Sequence, residues 1–121
     1  LPLEPYGANY NPSTGAGSLA VELVGTSVTS PGFDDLNGYS ADGLQSVNPH
    51  LKYVELTQRG YLLLDINSQR VSGEWWYVNT IDTRDDTQSF ATALQTSDQA
   101  NHLEPGAQSP PKPHAPPLAP A

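Results

Sequence analysis

One stretch restricts the fold more than any other: Leu51 to Ile81, LKYVELTQRGYLLLDINSQRVSGEWWYVNTI. Its Tyr, Val, Leu, Ile and Trp residues suit a pleated, packed surface, and its polar breaks are short. It reads as three antiparallel β-strands, Leu51–Thr57, Gly60–Ile66 and Val71–Ile81, joined by Gln58-Arg59 and Asn67-Ser68-Gln69-Arg70. Side chains alternate across a strand. Leu62, Leu64 and Ile66 therefore share one face, and Tyr61, Leu63 and Asp65 the other. In the next strand Val71, Trp75 and Tyr77 oppose Trp76 and Val78. Apolar residues on both faces predict a sheet covered on both sides, yet few other apolar segments remain to cover it.

The flanks are thinner. Leu1 to Gly17 carries Pro2, Pro5, Pro12, Gly7, Gly15 and Gly17 and reads as a loop. Ser18 to Ser30 reads as a strand, with Leu19, Val21 and Leu23 alternating and Gly25 marking a bulge or close approach. Its end, Thr26-Ser27-Val28-Thr29-Ser30, offers hydroxyl donors to an anionic ligand, or to backbone and water. The connection from Phe33 to Pro49 holds one helical turn, Ala41 to Val47, with Ser40 as N-cap. Asp34, Asp35 and Asp42 lack the spacing of a calcium loop. The expected organisation is a loop over 1–17, a β-rich part over 18–82, a weakly ordered, helical stretch over 83–100 and a proline-rich disordered tail over 101–121. The fold class is mainly β, with about four antiparallel strands.

Composition narrows the function classes. Apolar residues make up 36% of the 121-residue chain and charged residues 15%, so at most one modest domain is expected. A formal net charge of −8 argues against a nucleic-acid scaffold and against anionic membrane surfaces. The absence of cysteine removes disulfides, thiolate metal sites and a thiol nucleophile. There is no apolar run long enough for a membrane span. A phosphate-binding glycine loop, a G-x-S-x-G elbow and an H-E-x-x-H pair are all missing. Asp34-Asp35 and Asp85-Asp86 sit in polar segments, where solvated surface is the default. The chain starts at Leu1 and has no Met, which fits a processed product, a fragment or an expressed piece. From the residues alone the expectation is an acidic, β-rich, incomplete domain.

Three ordered segments add a resemblance. Val21-Glu22-Leu23-Val24-Gly25-Thr26-Ser27-Val28-Thr29-Ser30-Pro31-Gly32 comes first, then Asn48-Pro49-His50-Leu51-Lys52-Tyr53. Arg59-Gly60-Tyr61 follows, with a strand, a polar turn and Glu74-Trp75-Trp76-Tyr77-Val78. The set resembles the C-terminal part of PhoD-type alkaline phosphatases/phosphodiesterases of the metallophosphoesterase superfamily. Asn11 to Gly17 is similar to the loop that precedes this strand in the family, so the likeness spans roughly Tyr10 to Ile81. The family's G-D-x-H motif is expected just ahead of a segment like Leu1 to Gly17 and does not occur in this sequence.

The resemblance implies a C-terminal fragment that completes a sheet of the family's α/β sandwich and borders the substrate cleft, inactive by itself. Ser27, Ser30 and His50 are the implied substrate-binding or outer-shell residues, and no catalytic or metal-binding residue is expected on this chain. The implied partners are the N-terminal part of the same enzyme and a phosphate-ester substrate. Divalent and trivalent metal ions, calcium and iron, would belong to the parent enzyme, and the implied location is extracytoplasmic. The competing expectation is a free-standing β-rich binding module with its proline-rich tail as a spacer.

Overall fold

A computed structural model describes residues 1–30 and 40–117. The calcium-loop question at Asp34 and Asp35 therefore lies outside the described residues. The fold is mainly β, as expected, and the described residues form six antiparallel strands in two sheets and one short helix. Strands β1 (Pro2–Leu3) and β2 (Glu22–Leu23) form a two-stranded sheet. Helix α1 (Ala41–Val47) follows. Strands β3 (Gly60–Ile66), β4 (Arg70–Val78), β5 (Gln88–Ser97) and β6 (Glu104–Pro105) form the second sheet in that order.

The hairpin of β3 and β4 follows its sequence closely. Leu62 pairs with Trp75, Leu64 with Gly73 and Ile66 with Val71, so these six share a face. The turn is closed by Asn67, whose Oδ1 accepts from the N–H groups of Gln69 (2.8 Å) and Arg70 (3.0 Å), the local side-chain capping that favours Asn in turns. At its base Arg70 donates to Asp65 at 2.7 Å. Helix α1 starts where the cap predicts: Ser40 Oγ accepts from Gly43 N at 3.0 Å.

Trp75 is the centre of the core. Its ring is 1% exposed, and its indole N–H donates to the Val24 carbonyl at 3.0 Å. Leu23 approaches Gly73 on the same face. The β1–β2 layer is thereby laid over one face of β4. Val54, Tyr77, Ala93 and Leu103 complete the buried apolar set, and Tyr53 and Tyr77 join hydroxyls at 3.1 Å. The opposite face carries Tyr61, Trp76 and Phe90. Tyr61 lies parallel to Trp76, with centroids 6.4 Å apart, and Phe90 meets Trp76 edge-on at 5.6 Å.

Five expectations need correction. The weakly ordered, helical stretch expected over 83–100 holds strand β5 instead. The register jumps from Trp75↔Thr92 to Trp76↔Phe90, so Ala91 is an extra, bulged residue. The bulge puts Phe90 out of phase with Leu94, which hides the two-residue period. The tail expected to be disordered is docked as far as Ser109: β6 pairs with β5, Leu103 is buried, and Ser109 N donates to Glu74 at 2.7 Å. The strand expected over Ser18 to Ser30 pairs only at Glu22–Leu23, with one further bridge at Ser18. That expected over Leu51 to Thr57 makes one bridge, Leu51 with Leu3. The supposed loop at the start takes the ladder instead, because Leu1 to Glu4 runs between residues 22–24 and 50–52.

Candidate functional site

An open cleft of about 840 Å³ lies at the end of the β3–β4–β5 sheet. Its walls are Thr57, Gln58 and Arg59 before β3, Val78 to Asp82 after β4, and Thr87, Gln88 and Ser89 entering β5. The walls are fixed by backbone bonds: Val78 N donates to Arg59 O and Asn79 N to Thr87 O. Glu55 holds the approach to β3, accepting from Thr57 N, Thr57 Oγ1 and Gln58 N at 2.8, 2.8 and 3.1 Å. Burial works against ionisation of Glu55, but these bonds outweigh it and hold its carboxyl below the ordinary range. Across the cleft Asp85 accepts from Thr87 N and Asn79 Nδ2, each at 2.8 Å, and these bonds lower its pKa in turn. The lining therefore combines hydroxyl and amide groups with one guanidinium, Arg59, one carboxylate, Asp82, and the apolar Val78 and Ile81. Such a lining hydrogen-bonds a polar ligand at many points.

Two of the three sequence-predicted residues lie next to this cleft, Ser30 through Arg59 and Ser27 through the following residue, Gly60. Ser27 O accepts from Gly60 N at 3.1 Å, and Ser30 O accepts from Arg59 Nε at 3.4 Å. Arg59 Nη1 also donates to Thr57 O at 2.7 Å. Ser27 Oγ donates to Ser30 O at 3.3 Å, which folds the hydroxyl-rich segment on itself. Both serines are exposed.

His50 is placed elsewhere. Its carbonyl accepts from Glu4 N at 3.1 Å, and its ring lies 5.3 Å from that of Tyr6. Its Nδ1 is buried and has no hydrogen-bond partner among the described residues. No hydrogen bond joins it to either serine among those residues. The structure thus brings Ser27 and Ser30 together and leaves His50 beside the N-terminal ladder.

Beside His50 stands a cluster that sequence inspection missed. Glu4 is fully buried. Its Oε2 accepts from Tyr10 Oη at 2.6 Å and faces Lys52 Nζ at 3.3 Å, while Oε1 meets His102 Nδ1 at 2.8 Å and the N–H of Leu103. Burial opposes ionisation, but the bonds from Leu103, Tyr10 and His102 and the charge of Lys52 prevail, so Glu4 titrates below the usual carboxylate range. The same contact, with burial, pushes the Tyr10 hydroxyl well above its ordinary value. Gly15, at φ +72°, leaves room for the His102 ring, which a Cβ there would strike. Nothing in the local pattern marks Glu4, because His102 stands 98 residues away.

A family model described as PhoD-like phosphatase matches residues 3–75. The chain belongs to that family. The PhoD-like match takes in Ser27, Ser30, His50, Glu4 and Lys52, and it stops within β4. Strands β5 and β6 and the tail contacts of His102, Leu103 and Ser109 lie beyond it. Neither a curated protein nor a solved structure matches the sequence. Among the described residues no group of three or more His, Asp or Glu is placed to hold a metal ion. No described helix is long and apolar enough to cross a membrane.

Proposed function

We propose that this chain is the C-terminal portion of a PhoD-like phosphatase of the metallophosphoesterase superfamily, where it contributes sheet and a wall of the substrate cleft. The observation that carries the reading is the family match over residues 3–75, in a chain whose described residues offer no metal-ligand group. The edge of β3 supports it. Leu63, Leu64 and Ile66 are 40%, 48% and 65% exposed on an outer strand, a surface that a larger enzyme would cover.

On this reading the chain's own residues bind and position. Arg59 and the hydroxyl and amide lining of the cleft hold the polar ester near the sheet end, with Ser27 and Ser30 shaping the approach. His50 acts as a positioning residue. Its unpartnered buried Nδ1 takes a hydrogen bond from the part of the enzyme that packs on it. Calcium and iron, where the parent enzyme binds them, supply Lewis-acid chemistry from ligands outside this chain. The enzyme acts on phosphomonoesters or phosphodiesters in an extracytoplasmic compartment.

The test is hydrolysis of p-nitrophenyl phosphate and bis-p-nitrophenyl phosphate with added calcium and iron. It compares the 121-residue chain with a longer polypeptide that carries a PhoD-like metal-binding part ahead of Leu1. Turnover is expected only from the longer form. Metal-dependent turnover by the short chain alone overturns the reading.

A further inference from the structure

The docked tail is held largely through its backbone, with the His102 ring on Glu4 and the buried Leu103 as its side-chain anchors. Leu103 N donates to Glu4, Gly106 N to Ala93 O at 2.9 Å, and Ser109 N to Glu74 Oε1 at 2.7 Å. Two register pairs, Leu94↔Pro105 and Gln95↔Glu104, add the segment to the edge of β5. Both acceptor carboxylates are buried, Glu4 at 0% and Glu74 at 1% exposure. Glu74 sits on the face opposite the β1–β2 layer, with its other oxygen on Trp76 Nε1 at 3.0 Å. Together they form a groove built for an extended peptide, which is the mode of strand addition to a sheet edge.

The segment's attachment to β5 is the weak part. Within the turn from Asp98 to Asn101, Gln99 (φ 62°) and Asn101 (φ 47°) are in the left-handed region. Neither is glycine, and for Gln99 that conformation is disfavoured. The turn is pinned by Asp98 N on Gln69 O (2.7 Å) and Ala100 N on Ser97 O (3.1 Å). Beyond Ser109 the described residues 110–117 are exposed, so the segment has a free path off the sheet.

We propose that residues 102–109 exchange between two copies of this chain, each copy's tail adding to β5 and to Glu4 and Glu74 of the other. Every backbone contact is reproduced across the two copies, because the groove does not distinguish its own tail from a second one. Opening the turn releases the left-handed strain at Gln99. The closed form wins in dilute solution, where the tether keeps the tail at an effective concentration on the order of millimolar. Exchange therefore takes over when the chain folds at comparable concentration.

The sequence has no cysteine, which allows a clean test. Gln95 and Glu104 are register partners, so chains carrying Gln95→Cys are mixed with chains carrying Glu104→Cys. They are refolded together at about millimolar concentration, oxidised, and run on a non-reducing gel. The expected product is a covalent heterodimer absent from either variant alone. Adding Gln99→Gly, which removes the strain of the closed turn, lowers its yield by about fivefold or more. Adding Gln99→Pro, whose ring fixes φ near −65°, raises it. A chain with both cysteines reports the closed pairing by an internal disulfide. If that disulfide forms and the mixture gives no heterodimer at any concentration, exchange is overturned. It is overturned equally if neither crosslink forms, since the tail then does not lie on β5.

Discussion

The N–H of Leu103 donates to the carboxylate of Glu4 across 99 positions of sequence. That contact ties the first strand to the last, and His102, Tyr10 and Lys52 gather on the same carboxylate. A buried carboxylate is costly unless every lone pair is taken and a counter-charge stands near. Glu4 meets both conditions only when the chain ends are in place. It therefore acts as a sensor of tail docking as well as a support for it.

Replacing Glu4 tests that coupling. Glu4→Ala strands the Leu103 N–H, the Tyr10 hydroxyl and the Lys52 charge in a buried place, and about 3 kcal/mol of stability is lost. Glu4→Gln keeps the volume and one acceptor, so the loss is smaller, about 1–2 kcal/mol. Urea titration of the intrinsic tryptophan fluorescence measures both. Equal losses for the two variants would show that the acceptor kept by Gln contributes nothing and that the charged carboxylate carries the whole effect.

Acid should undock the tail before it unfolds the sheet. Burial raises the pKa of Glu4 and Glu74, but hydrogen bonding to Leu103, Tyr10 and His102 in one case, and to Ser109 and Trp76 in the other, lowers it further, so both folded values are depressed. A depressed carboxylate contributes stability that is full above its unfolded pKa, about 4, and is lost as pH falls through the folded value. The tail is therefore docked at neutral pH and released below about pH 4. Trp76, bonded to Glu74, reports the step by fluorescence. In Glu74→Gln the Trp76 signal should lose its acid transition; a transition of unchanged midpoint and size would assign it to another group.

How much of this was legible depended on whether the governing contact is local. The β3–β4 hairpin was, since alternation, the Asn67 turn and the aromatic strand lie within one run. The Ser40 cap is equally local and gave α1. Strand β5 was not, because Ala91 breaks the period and its partners are distant. The tail escaped for a different reason: proline content argues for an unpaired segment, while distant acceptors, Glu4, Glu74 and the Ala93 carbonyl, take the N–H groups of Leu103, Ser109 and Gly106. Ser27 and Ser30, implied by the family resemblance in a hydroxyl-rich run, do lie together, with Ser30 on Arg59, but nothing local places His50 beside Tyr6 instead.

Gly60 marks where the hairpin tolerates no side chain. A Cβ there would run into the carbonyl oxygen of Trp76 on the neighbouring strand. Gly60→Ala therefore forces the start of β3 away from β4 and costs about 3 kcal/mol. Near-ultraviolet circular dichroism should lose the sharp aromatic signal of Tyr61 and Trp76, which lie parallel one pair further along. A native spectrum with unchanged stability would mean the backbones are not in close contact there.

Substitutions at Ser30 and His50 separate the two halves of the proposed site. Ser30 meets the cleft through Arg59 and Ser27 bonds the adjoining Gly60, whereas His50 touches the N-terminal ladder through Glu4. In a PhoD-like phosphatase containing this chain, Ser30→Ala leaves the accepting carbonyl of residue 30 intact and changes only an exposed hydroxyl. Turnover should then stay within about twofold, since surface substitutions away from packed or bonded features have small effects. His50→Ala removes a ring packed on Tyr6 and a buried nitrogen awaiting a partner. The expected result is a loss of about tenfold in kcat/KM, of the size seen when a group that positions others is removed. His50→Asn restores a hydrogen-bonding nitrogen and should recover part of it. If His50→Ala lowers thermal stability but leaves kcat/KM of the folded fraction unchanged, His50 serves the ladder alone and has no part in positioning substrate.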